Sequence, residues 1–152
     1  MSPRFPSPHI TQLTSCRTIP GEPFEFKITD INVRVRVEVI SFIKDLPISD
    51  TILAVEDFVD ALDESPNDPL DRLELWKHNS VRITIVPVKD ACAVLSHGEA
   101  STVVEGVSAY MRREILYRPV AFVVRRRGVG QLMKGMFLLV EDGGEGDIQV
   151  LR

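Results

Sequence analysis

His97, Glu99 and Tyr110 lie within one predicted helical stretch and carry the groups from which acid–base chemistry is made. A histidine at a helix N-terminus can be held neutral as a general base, with a nearby carboxylate to orient it. The same residues also have a purely structural reading. Ser96 and Glu99 have the spacing of a capping box, in which serine and glutamate satisfy the first free N–H groups of a helix. That role accounts for both residues without catalysis. Tyr110 falls at a spacing where an aromatic is normally core, as does Trp76. His78 sits in a polar turn and His9 in a proline-rich stretch, both ordinary surface settings. There is no Ser, His and Asp set and no nucleophile elbow.

Anion binding is the other chemistry suggested by residue type. The run Arg125-Arg-Arg-Gly-Val-Gly130 combines guanidinium groups with turn amides, which together can cradle an anion. It lacks the third glycine and the strand-to-helix setting of a dinucleotide loop, so a solvated hairpin tip is the simpler reading. The acidic series Asp57, Asp60, Asp63, Glu64, Asp68 and Asp71 lacks the spacing and central glycine of a calcium loop and reads as a solvated helix face. Cys16 and Cys92 are far apart and outside any C-x-x-C spacing, which disfavours a zinc or redox site and leaves a single disulfide open. No metal site or cofactor is expected.

These residues must be positioned by a chain of 152 residues, 44% hydrophobic, with a formal charge of −4. That size and composition suit one core. The acidic balance disfavours a dedicated nucleic-acid or anionic-membrane binder, although local patches can still be basic. No stretch reaches the roughly 20 apolar residues that span a bilayer. As written the chain reads as soluble, secreted if an export signal has been removed and cytoplasmic otherwise.

Pro3, Pro6, Pro8, Pro20 and Pro23 mark residues 1–23 as an arm or strap. A single α+β domain is expected over 24–141. From Ile31 the sequence alternates strictly, with Val33, Val35, Val37 and Val39 on one face and Arg34, Arg36 and Glu38 on the other, predicting a strand. Pro47, Ser49 and Asp50 start a helix whose apolar face is Ile52, Val55, Phe58, Val59 and Leu62. A hairpin follows around 77–80. The Ser96 cap then opens a helix with Ala100, Val103, Val104, Val107 and Met111 at helical spacing, and Arg112 and Arg113 complement its C-terminal dipole. Strands at 120–125 and 132–140 flank the glycine turn. Residues 142–152 read as an acidic, glycine-rich tail, with an edge strand at 148–151.

The simplest assembly is an antiparallel sheet with both helices on one face, a ferredoxin-like βαββαβ sandwich carrying one additional C-terminal strand. Alternation then sends Arg34, Arg36, Arg82, Thr84 and Arg125 to the opposite face. Arg34, Arg36, Arg82, Arg125 and Arg127 are therefore the candidate partner-binding residues. Outward aromatics are missing from this face, so base stacking of the RNA-recognition type is disfavoured. The last strand is apolar on both sides, which demands burial on both sides, so the proline-rich arm or a second subunit is expected to cover this face, the latter as a homodimer through the sheet or that strand.

The succession of a strand before Leu46-Pro-Ile-Ser49, an acidic-faced helix, a short hairpin, a helix opened by Leu95-Ser-His-Gly-Glu99 with Gly106 inside, and strands joined by Gly128-Val-Gly130 resembles a group of small uncharacterised fungal proteins, many predicted to be secreted. The resemblance implies an effector-like interaction protein and brings no catalytic residues. Two functions are carried forward. One is a non-enzymatic module that binds a protein or small ligand through its sheet face or loops. The other is a small cofactor-free cyclase or isomerase with a pocket between sheet and helices.

Overall fold

In a computed structural model, the structure describes residues 10–12, 24–41, 44–114 and 117–140. In chain order the elements are β1 (Ile10–Gln12), β2 (Phe24–Ile28), β3 (Val33–Val39), α1 (Ile48–Asp63), β4 (Glu74–His78), β5 (Val81–Pro87), α2 (His97–Glu114), β6 (Val120–Arg126) and β7 (Gly130–Leu139). The strands form one antiparallel seven-stranded sheet in the order β1-β2-β3-β6-β7-β5-β4. The expected edge strand at 148–151 and most of the expected arm lie outside the described residues.

Alternation dictates the layering. Phe24, Val37, Phe122, Gly135, Ile85 and Glu74 are successive cross-strand partners and therefore share one face. Both helices pack there. Phe24 stacks on Tyr110 of α2 with ring centroids 4.4 Å apart, and Trp76 stacks on Phe58 of α1 at 6.2 Å. The buried faces of the helices are Thr51, Ala54, Val55, Phe58, Val59 and Leu62 in α1, and residues including Ala100, Val103, Val104, Val107 and Met111 in α2. Among the described residues no helix is long and apolar enough to cross a membrane.

The strand order corrects the ferredoxin-like expectation. In that fold β3 would neighbour β5, but here β2 and β6 occupy its two edges and the β6–β7 hairpin is inserted between β3 and β5. The prolines before Phe24 concealed β2, whose own alternation, Phe24, Phe26 and Ile28 inward with Glu25 and Lys27 outward, continues the sheet beyond β3.

The insertion also fixes both edges of the last strand. β7 is hydrogen-bonded by β6 on one edge and β5 on the other, so it has no free edge for pairing across a two-fold axis. A homodimer through the last strand's edge is therefore ruled out by the pairing. Part of β7's apolar character comes from a β-bulge opposite Val124 and Arg125, which adds Leu132 to the strand and buries it beside Met133. Gly135 meets a different need. The ring of Phe122 lies directly over it, and a Cβ there would fall 2.2 Å from Phe122 Cζ.

Candidate functional site

The sheet face away from the helices holds the candidate arginines. Lys27 pairs with Arg34, and Arg34 pairs with Arg125, so three cations stand directly opposite one another across β2, β3 and β6. The next row runs Glu25, Arg36, Val123, Lys134 and Val86. Arg34, Arg36, Arg125 and Lys134 are exposed, and Lys27 is half-buried. Among the described residues, none of these five side chains makes a hydrogen bond or an ion pair. Lys27 and Lys134 were not singled out from the sequence. They follow once β2 is recognised as a strand and β7 is read as alternating about Met133, Gly135 and Phe137.

Arg82 occupies the same face but a different environment. It pairs with Leu138 at the far end of the sheet and is only 4% exposed, and Thr84 beside it is 2% exposed. It does not share the solvent-facing surface of Arg34 and Arg36. Arg127 lies apart from the rows, exposed in the β6–β7 turn, where Gly128 and Gly130 take φ of +81° and +102°. That backbone region suits glycine and builds the tight turn. Its neighbour Arg126, which the sequence did not flag, points inward. Arg126 donates to the carbonyls of Ile31 (2.9 Å) and Asn32 (3.4 Å) and reaches Glu99 Oε2 at 3.6 Å, clamping the start of β3 to the start of α2.

The acid–base candidates are held by structure. Glu99 Oε1 accepts from the Ser96 backbone N–H at 3.0 Å, and the Glu99 N–H donates to Ser96 Oγ at 3.1 Å, forming both halves of a capping box. With Oε2 facing Arg126, the Glu99 carboxylate is occupied at both oxygens. His97 lies 3.9 Å from Glu74 Oε2, outside hydrogen-bond range. Tyr110 is 2% exposed in the core, stacked on Phe24 and 6.1 Å from Phe26. Burial first, then the Glu114 charge, pushes its phenol up to about 12 against a smaller opposing effect of Arg113, so it stays protonated at neutral pH. The structure does not bring His97, Glu99 and Tyr110 together as a reacting set. Tyr110 sits at the β2 side of the core, whereas Glu99 is held by Ser96 and Arg126 at the helix start and His97 stands 3.9 Å from Glu74.

Two acidic groups have structural work as well. His78 lies 3.9 Å from both Asp50 and Asp57, and Asn79, with φ of +53°, donates to Asp50 at 3.0 Å, tying the β4–β5 turn to α1. Among the described residues no group of three or more His, Cys, Asp or Glu side chains is placed to hold a metal ion. Cys92 is exposed and free, and Cys16 lies outside the described residues.

What this arrangement can do chemically is concentrate positive charge on a solvent-facing sheet surface without aromatic rings. No family model, curated protein or solved structure matches the chain, so its chemistry is read from these residues alone.

Proposed function

We propose that this protein is a non-enzymatic binding module whose sheet face takes an acidic segment of a protein partner. The observation that carries this is the row Lys27–Arg34–Arg125. Like charges directly opposite each other on neighbouring strands are destabilising, and none of these side chains has a compensating carboxylate among the described residues. An anionic partner would convert that repulsion into attraction and would be steered to the face before contact. Stacking of bases finds no aromatic platform in either row, which favours a carboxylate-bearing peptide over a single-stranded nucleic acid.

The enzymatic alternative needs a pocket between sheet and helices. That layer is occupied by Phe24, Phe26, Phe58, Phe122, Phe137 and Tyr110, all buried. The binding reading therefore has the stronger support.

Fluorescence anisotropy with a fluorescein-labelled hexaglutamate peptide at low ionic strength tests it. Binding that weakens at least tenfold in R34E/R36E and fades with salt is expected. Equal binding by wild type and R34E/R36E, or tighter binding of a single-stranded oligonucleotide than of the peptide, would overturn it.

A further inference from the structure

On the side away from β1, and among the described residues, the sheet ends at β4. We infer that the outer edge of β4 takes an extended segment of a partner protein as an additional antiparallel strand, with a carboxylate of that segment opposite Lys77.

The main-chain geometry carries this. Val140 donates its N–H to the Ser80 carbonyl at 2.7 Å, and Val88 donates to the Leu132 carbonyl at 3.0 Å. The even-numbered residues of β5 therefore turn their N–H and C=O groups toward β7. The odd-numbered Val81, Ile83 and Ile85 turn theirs toward β4, where they meet His78, Trp76 and Glu74. Leu75 and Lys77 are left with both main-chain groups directed away from the sheet. Among the described residues neither makes a hydrogen bond on that side. Such a row of donors and acceptors is a template for one more strand. Edges are commonly blunted by a proline or a bulge, and β4 has neither.

The side chains along the edge select the occupant. Lys77 is exposed, Leu75 on the same face is half-buried, and Trp76 on the helical face is half-buried against Phe58. Leu73, just before the strand, is 41% exposed. In an antiparallel pair the Cβ of the residue directly opposite Lys77 stands about 4.5–5.5 Å away, so a carboxylate there forms a cross-strand ion pair. Aliphatic residues opposite Leu75 and Trp76 cover the apolar surface left open. His78 stands 3.9 Å from both Asp50 and Asp57, which favours a cation opposite it. A second copy of this chain fits poorly. Pairing two β4 strands about Trp76 sets Lys77 against Leu75 and brings together two α1 helices that expose Glu56 and Asp57. The edge is also distinct from the cation rows, because β5 and β7 lie between β4 and β6.

The test titrates the full chain with acetyl-Thr-Lys-Glu-Val-Ile-Lys-Thr-amide, whose Glu, Val and Ile fall opposite Lys77, Trp76 and Leu75 in this register. Amide chemical shifts are expected to change over residues 73–78. N-methylation of the peptide's Glu or Ile removes an N–H that donates to β4 and should weaken binding at least about tenfold. N-methylation of its Val, whose N–H points away from β4, should change binding less than about twofold. K77E should bind the peptide at least about threefold more weakly and recover when the peptide's Glu is replaced by Lys. Absence of shift changes at millimolar peptide, or equal weakening by all three N-methyl peptides, would overturn the inference. Slow hydrogen exchange of the Leu75 and Lys77 amides in the free protein would overturn it too, since the edge would then already be occupied, by a second copy if the protection rises with protein concentration.

Discussion

Arg34 is flanked by a like charge on each side, and this makes an unusual expectation: reversing its charge should strengthen the fold while removing the proposed binding. Arg34→Glu turns the pairs with Lys27 and Arg125 from repulsive to attractive. Each opposite-charge cross-strand pair stabilises by roughly 0.2–1 kcal/mol. Glu25, diagonal to Arg34, opposes the change, but diagonal neighbours stand about 7–8 Å apart and count for less. Exposure of Arg34 and Arg125 keeps the sum modest, about 1 kcal/mol. For a chain of this size that is a rise in Tm of about 2–4 °C. Thermal unfolding of wild type, R34Q and R34E at low and high salt measures it. R34Q, which relieves repulsion without forming new pairs, should fall between the other two. The gain should vanish near 1 M salt, where the screening length is only about 3 Å. An R34E protein that melts no higher than wild type at low salt, or a gain that persists at high salt, would refute the reasoning. A substitution that stabilises the fold and abolishes binding identifies a residue kept for its partner, because a purely structural position shows no such trade-off.

Gly135→Ala places a methyl where the Phe122 ring already lies, and overpacking of this kind costs about 1–3 kcal/mol in denaturant unfolding. The penalty should shrink by at least about 0.5 kcal/mol in a Phe122→Leu background, and strict additivity would show that the ring contact is not its cause. Ser96→Ala removes the side chain that caps the Glu99 N–H and should cost about 1 kcal/mol, read as a lower denaturation midpoint at unchanged slope. Because burial raises the Tyr110 phenol to about 12, the folded state keeps a proton that the unfolded chain loses near pH 10. Stability from this group is complete below about pH 10 and declines as pH rises through about 12, so Y110F should show a shallower alkaline loss than wild type in that window.

The elements with complete local signals were legible in the sequence. Alternation marked β3, apolar periodicity marked α1 and α2, and the Ser96–Glu99 spacing marked the capping box that the structure forms. The sheet order was not legible, because alternation says which face a side chain takes but not which strand lies beside it. The two-sided apolarity of 132–140 called for a cover over the open face, by the proline-rich arm or a second subunit, and said nothing of which strands lie beside it. In the structure β6 and β5 pair with its two edges, and a bulge that inserts Leu132 accounts for part of the pattern. The candidate site was half legible for the same reason. Arg34, Arg36 and Arg125 could be assigned a common face from period two alone. That Lys27, Arg34 and Arg125 stand in one row requires the registers of β2 on β3 and β3 on β6, which only the assembled sheet supplies.

The formal charge of −4 also concealed the site, since net charge sums over surfaces that a partner never meets together. The exposed Asp57, Asp60, Asp63 and Glu64 lie on or just beyond α1, in the helical layer on the opposite side of the sheet from Arg34, Arg36, Arg125 and Lys134. The described chain therefore presents an acidic surface on α1 and a positive sheet surface. For an acidic partner these two surfaces act in the same sense, one repelling and the other attracting, so orientation is set before contact and both contributions weaken together as salt screens them. An overall acidic composition excludes a uniformly basic binder, but it sharpens an acidic-partner site built on a single face.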